Sequence, residues 1–211
     1  MEHRNSNTAL VLGATGGIGG ELARLLRAEG WGVRAMRRGA GTMQDRDGLT
    51  WVPGDAMNRD DVMRAAEGCS VIVHAVNPPG YRDWDKLVLP MVDNTVAVAT
   101  ALGATIVLPG TIYNFGPDAW PMLAEDSPQH PVTRKGAVRV ALERRLEEAS
   151  RRGARAIVVR AGDFFGPRPG NNWFSLGLVT GVRRREPKNG GFPGVPPIWI
   201  KDLRLFSSTF L

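Results

Sequence analysis

The sequence predicts an α/β domain of the doubly wound kind, a central parallel sheet with helices on both faces. Two observations carry this expectation. Apolar strand-like runs alternate with helical patterns from Thr8 to about Arg160, the order that builds parallel strands joined by helical crossovers. The first run also passes straight into a glycine turn and then into a helical pattern. The length of 211 residues suits one ordinary domain, and 43% apolar residues suffice for a single core.

The opening strand, 8–12, leads into Gly13-Ala14-Thr15-Gly16-Gly17-Ile18-Gly19, and Ile18, Leu22, Leu25 and Leu26 give the next segment an apolar helical face. Gly13 permits a tight turn off the strand, Gly16 lets the backbone approach a ligand closely, and Gly19 lets the helix pack against the sheet. The helix N-terminus, with its unpaired N–H groups and positive dipole end, then faces an anion. Strand, glycine turn and helix together signal a dinucleotide phosphate site, with an ordinary tight βα turn as the plainer alternative.

Gly30 ends the helix, and the second strand, 31–36, leads into Arg37-Arg38. In a dinucleotide site the end of this strand faces the adenosine ribose. An acidic residue there binds the 2′-hydroxyl of NAD, whereas arginine accommodates the 2′-phosphate of NADP. Arg37 takes that place, so NADP is expected over NAD, because a guanidinium fork grips a phosphate that a carboxylate would repel. A solvated basic strand end is the other reading, since arginine is abundant throughout the chain.

The third strand, 49–52, reaches Pro53-Gly54-Asp55, after which Asn58 caps a helix bearing Val62 and Met63 and closed by Gly68. The fourth strand, 71–76, is broken by Asn77-Pro78-Pro79-Gly80. A long helix follows over 85–102, then a fifth strand over 105–108. The Pro- and Gly-rich loop 109–131 is too long to be mere connection, and such loops at strand ends are where function usually sits. A helix over 135–152 and a strand over 155–160 complete six βα units. The pattern fades after about Gly181, and 183–197 carries Arg, Gly and Pro without periodicity.

The net charge is +6, but most basic residues are arginines alternating with carboxylates, as in Glu143-Arg144-Arg145-Leu146-Glu147-Glu148, which reads as a solvated helix face. The cluster Arg183-Arg184-Arg185 with Lys188 lacks interleaved aromatics, so no nucleic-acid partner is expected. Cys69 is the only cysteine, which excludes an intrachain disulfide and suits a reducing cytoplasm. Residues 1–7 hold no apolar signal core and no stretch is long enough to span a bilayer. A soluble cytoplasmic protein is expected, with no membrane partner and no metal site.

Taken in order, these residues resemble the short-chain dehydrogenase/reductase superfamily, in particular its extended branch of epimerases and dehydratases, over most of the chain. Gly13 to Gly19 looks like that branch's GxxGxxG turn. Gly54-Asp55-Ala56 looks like the segment whose aspartate contacts adenine, and Ala75-Val76-Asn77 sits where the family lines the cofactor channel. Thr111-Ile112-Tyr113-Asn114-Phe115-Gly116 is similar to the segment carrying the catalytic serine or threonine, which gives that role to Thr111. Arg160-Ala161-Gly162-Asp163-Phe164-Phe165-Gly166-Pro167 looks like the strand and turn beside the nicotinamide. Asn171-Asn172-Trp173-Phe174 looks like a fragment of the substrate wall. The resemblance implies hydride transfer between a nicotinamide and a carbonyl or alcohol carbon of a small-molecule substrate, sugar nucleotides being frequent in the branch.

Two departures stand out. The family's YxxxK pair is missing, since Tyr81 and Tyr113 are the only tyrosines, and Lys135 and Arg139 stand in its place on one helix face. Lys135 could act as acid or base in a buried or cationic setting, and Arg139, a fixed cation, could hold ribose or substrate phosphate. Both also read as a solvated basic face. Tyr113 is a second candidate acid or a loop aromatic packed in the core. A relative that binds NADP(H) and reports it to a partner without catalysis is therefore the alternative to an enzyme. The second departure is at the C-terminal end, where the branch continues well beyond this length. The expectation is a single NAD(P)-binding domain, 1–211, whose residues from about 162 to 211 are an irregular remnant of a substrate lobe. Such a lobe would leave the substrate site open or completed by a partner chain, as in a homodimer.

Overall fold

Strand β1 (Thr8–Leu12) carries Ala9, Leu10, Val11 and Leu12, none of which exposes any surface. A strand apolar on both faces belongs at the centre of a sheet covered on both sides. In the computed structural model, which describes residues 7–39, 41, 43–78 and 83–162, β1 holds that place. The chain continues through α1 (Gly17–Ala28), β2 (Gly32–Arg37), β3 (Gln44–Arg46), β4 (Leu49–Pro53), α2 (Arg59–Ala66) and β5 (Val71–His74). It ends its described course with α3 (Trp84–Leu102), β6 (Thr105–Gly110), a 3-10 turn (Pro117–Ala119), α4 (Arg134–Arg151) and β7 (Arg155–Arg160).

The seven strands form one sheet in the order β3-β4-β2-β1-β5-β6-β7. Every pair is parallel except β3–β4. From β1 the chain steps outward through β2 to β4, then returns to β5 on the other side of β1 and steps outward again. The switch point of this doubly wound sheet therefore lies between β1 and β5, where Leu12 is level with both Met36 and His74.

Alternation along the strands divides the core in two. Leu10, Leu12, Ile72, Ile106 and Leu108 face α2, α3 and α4 through Val62, Val88, Val92, Leu142 and Leu146. Val11, Val33, Ala35 and Val73 face α1 through Ala23, with Leu22 and Leu26 packed alongside. Each fully buried leucine or isoleucine contributes roughly 1.5–3 kcal/mol relative to exposure. Asn58 caps α2 as expected, its Oδ1 accepting the N–H groups of Asp60 and Asp61 at 2.9 and 3.4 Å.

The structure corrects several expectations. The sheet carries a short antiparallel edge strand, β3, that apolar alternation does not reveal because Gln44, Asp45 and Arg46 are all polar and exposed. Its turn, Asp47-Gly48, has positive φ at both residues, 56° and 70°, the two-residue hairpin type that matches strand twist. Strand β5 stops at His74 instead of residue 76, although Ala75 still donates its N–H to Leu12 O at 3.0 Å. Strand β6 runs on to Gly110 through Pro109. Its pairing with β5 ends at Val107, so Pro109 is level only with Val159 of β7. Among the described residues no helix is long and apolar enough to cross a membrane.

Candidate active site

The glycine turn is built as a backbone cradle at the carboxyl end of β1. Gly13 has φ +85°, and a Cβ there would lie 2.5 Å from Ala75 O and 2.7 Å from Val76 N, so the turn rests directly on the chain leaving β5. A Cβ on Gly19 would meet the carbonyl of Gly13, which makes Gly19 the point of closest approach between α1 and the turn. Gly16 is different. Its added Cβ would meet only Gly13 O, at 3.3 Å, with open space otherwise. The N–H groups of the first turn of α1, Gly17, Ile18 and Gly19, have no intrahelical acceptor, and Gly16, as N-cap, has no side chain to cap them. Ala14 is buried and Thr15 is exposed at the turn. A cradle of this kind fits the pyrophosphate of a dinucleotide.

Arg37 ends β2 and is partly buried, its guanidinium lying over the Trp51 ring at 5.3 Å from the centroid. The strand pleat explains the contact, because Ala35 is level with Trp51 and Arg37 is two residues on, on the same face. Its Nε is buried without a hydrogen-bond partner among the described residues. Arg38 is exposed beside it. Asp55 accepts the N–H of Met57 at 3.0 Å and donates its own N–H to Asp61 at 3.0 Å, while buried Ala56 gives its carbonyl to Asn94 at 2.9 Å. The segment after β4 is thereby fixed at the carboxyl edge.

Beyond β5, Asn77 accepts the indole N–H of Trp84, at the start of α3. While the indole edge bonds Asn77, the ring face of Trp84 carries Arg139, whose guanidinium lies 5.2 Å from the ring centroid. His74, the last residue of β5, is buried against the same helices. Its Nδ1 lies 2.8 Å from Thr95 Oγ1, and Thr95 in turn donates to Met91 O at 3.1 Å. Since the threonine proton is committed to Met91, Nδ1 is the protonated nitrogen. Burial, and then the cation of Arg139, hold the imidazole neutral, with its pKa pushed down to about 3.

Thr111 follows β6 directly. Its hydroxyl lies 3.3 Å from Asn114 Oδ1 and accepts the N–H of Tyr113 at 3.3 Å. Tyr113 is 44% exposed, which corrects the alternative of a tyrosine packed in the core. Helix α4 abuts this loop through Gly136, where a Cβ would collide with Tyr113 O and come within 2.5 Å of Pro131. Thr133 caps the helix, accepting the N–H of Gly136 at 3.0 Å. Lys135 therefore stands one residue from the point where α4 touches the Thr111 loop. It is exposed, not buried, whereas Arg139 one turn on is partly buried. The carboxyl ends of β1, β2, β5 and β6 thus gather the glycine turn, Arg37, Ala75 to Asn77, Thr111 and the start of α4. Asn171, Asn172 and Trp173 lie outside the described residues.

Sequence reasoning missed three groups here. Glu143 is the clearest correction, since it reads as part of a solvated face but its side chain is only 10% exposed and pairs with Arg160 at 2.7 Å. Asn114 and Gln129 connect it to Thr111. The signal available for Glu143 was its register, eight residues after Lys135 and four after Arg139 on the face of α4 that meets the sheet. Nothing in the local sequence marked Asn114 or Gln129.

Fold and site together define a doubly wound dinucleotide-binding type of domain. Residues 9–189 match the NAD dependent epimerase/dehydratase family, and the chain belongs to that family. It is 30% identical to the 3-diazoavenalumate denitrifying reductase of a Streptomyces species, over 76% of this chain and 57% of the relative. It is 32% identical to the 2-alkyl-3-oxoalkanoate reductase of Shewanella oneidensis, over 46% of this chain and 25% of the relative. The chain thus spans little more than half, and in one case a quarter, of the length of these relatives. Among solved structures it is similar to the Bordetella bronchiseptica enzyme WbmH in complex with NAD+, with a TM-score of 0.70 and 21% identity over 85% of this chain and 64% of that one. It is also similar to the UDP-N-acetylglucosamine 4-epimerase of Bacillus cereus, with a TM-score of 0.69 and 18% identity over 80% and 58%.

Proposed function

We propose that the protein is an NADP-dependent oxidoreductase of the epimerase, dehydratase or reductase type, acting on a carbonyl or alcohol carbon of a small molecule. The observation that carries this reading is the open cradle at Gly16 set at the switch point, with the Arg37 guanidinium at the adjoining strand end. Gly13 to Gly19 would hold the pyrophosphate, Arg37 and Arg38 the 2′-phosphate, Asp55 and Ala56 the adenine side, and Ala75 to Asn77 the channel beyond it. The chemistry that a bound nicotinamide supplies is hydride donation or acceptance. Thr111 orients the reacting oxygen, Lys135 or Tyr113 moves the proton, and Arg139, fixed over Trp84, serves as a stationary cation for ribose or substrate. The relatives named as reductases support the redox reading, and the epimerase neighbours leave sugar nucleotides among the candidate substrates. Asn171, Asn172 and Trp173 remain candidates for the substrate wall.

One observation favours a second reading, a non-catalytic NADP(H) sensor. Arginine at position 139 and the absence of YxxxK remove the usual proton-transfer pair. Nicotinamide absorbance followed during incubation with a panel of carbonyl compounds and sugar nucleotides separates the two. Turnover with any member supports the enzyme, and tight cofactor binding with no turnover supports the sensor. In an active protein, Lys135→Met is expected to abolish turnover while leaving cofactor affinity nearly unchanged. Full activity in that variant would move the proton-transfer role to Tyr113, with Tyr113→Phe as the next substitution.

A further inference from the structure

Five residues, through four side-chain links and the main-chain carbonyl of Thr111, close a ring of hydrogen bonds around the loop after β6. The Glu143 carboxylate takes Nη1–H and Nη2–H of Arg160 at 3.0 and 2.7 Å and Nε2–H of Gln129 at 3.2 Å. A carboxylate paired in this way accepts and does not donate. Gln129 must therefore turn its NH2 toward Glu143 and its carbonyl oxygen toward Asn114. Asn114 exposes no surface; it gives Nδ2–H to Gln129 Oε1 at 3.0 Å and presents Oδ1 to Thr111. That oxygen has no proton to give, so the Thr111 hydroxyl donates to it. Arg160 closes the ring by donating Nη1–H to Thr111 O at 2.6 Å.

The direction of every bond in the chain follows from the charge at one end. Reversing Asn114 alone would set two carbonyl oxygens against each other, and reversing Gln129 as well would set its carbonyl against the carboxylate. A threonine hydroxyl has one donor and two acceptor positions. The donor is spent on Asn114 and one acceptor position on the N–H of Tyr113.

We propose that Glu143, acting through Gln129 and Asn114, fixes the direction of the Thr111 hydroxyl so that Thr111 offers the site a lone pair and not a proton. The group it meets is then a hydrogen-bond donor, the hydroxyl of an alcohol. Thr111 in this state holds the alcohol form of a substrate, and the proton needed on the carbonyl side comes from Lys135 or Tyr113. Glu143, Gln129 and Asn114 are positioning residues. The inference rests on the reading of Thr111 as a substrate-facing group.

Neutron diffraction from crystals of the deuterated protein reads the relay directly. Deuterium between Thr111 Oγ1 and Asn114 Oδ1, with the Asn114 ND2 group facing Gln129, is the expected result. An Asn114 ND2 group facing Thr111 would overturn the proposal. In Glu143→Gln the anchoring charge is gone, and both orientations of the two amides are expected; full retention of the single orientation would remove Glu143 from the role. Should that variant fail to fold, Gln129→Met leaves the Glu143–Arg160 pair in place. It is expected to release Asn114 from its single orientation, and an unchanged Asn114 would count against the relay. Proton positions are read without cofactor or turnover. An ordered relay in a protein that binds no dinucleotide would therefore sink the proposed function and leave the hydroxyl's direction standing.

Discussion

Single residues set both the chemistry and the stability of this site. His74 stays neutral in the fold to about pH 3, whereas an unfolded histidine titrates near pH 6.5. Below that value the unfolded chain takes up a proton that the folded chain refuses, so stability falls as pH falls from about 6.5 toward 3. The limiting slope is ~1.4 kcal/mol per pH unit for one such group. Denaturant unfolding of the unmodified protein at pH 7 and pH 5 should show a larger loss than His74→Asn, in which the amide can still donate to Thr95. Equal losses would mean that the imidazole is not the titrating group. Gly136 matters through space alone. Gly136→Ala places a methyl against Tyr113 O and Pro131, backbone and ring that cannot swing aside, so a loss of roughly 1–3 kcal/mol is expected in a thermal or denaturant melt. An unchanged midpoint would show that α4 does not bear on the Thr111 loop as tightly as its geometry states.

At the scale of elements, the strand, turn and helix at the start of the chain were legible because each signal is local. The apolar run, the glycines at 13, 16 and 19 and the apolar face of α1 lie within a few turns of one another, and the structure builds each of them. Elements whose partners are distant in sequence were not legible. Strand β3 has no apolar residue to alternate, and only its Asp47-Gly48 turn marks it. Glu143 looks like one more charge on an arginine-rich helix until β7 brings Arg160, 17 residues away, against it. Gly19→Val would drive α1 away from the carbonyl of Gly13, and the variant should lose dinucleotide affinity together with the alignment of its first turn. Retained affinity, measured by calorimetry on a folded Gly19→Val protein, would separate the phosphate site from that close contact.

The sheet brings the carboxyl ends of its six parallel strands to one edge, and the proposed activity depends on what that edge binds. In the proposed reading the backbone N–H groups of the cradle hold a pyrophosphate, and Arg37, at the end of β2, selects between the two nicotinamide dinucleotides. Charge reversal there isolates the second statement from the first. Arg37→Asp should flatten or invert the order of NADPH and NADH affinities while the glycine cradle still binds a dinucleotide. The most direct measurement is therefore a titration of the unmodified protein with NADPH and with NADH, followed by fluorescence or calorimetry. Binding of both, with NADPH the tighter, is the expected result. Equal affinities would remove the arginine argument, and binding of neither would contradict the dinucleotide site on which the whole reading rests.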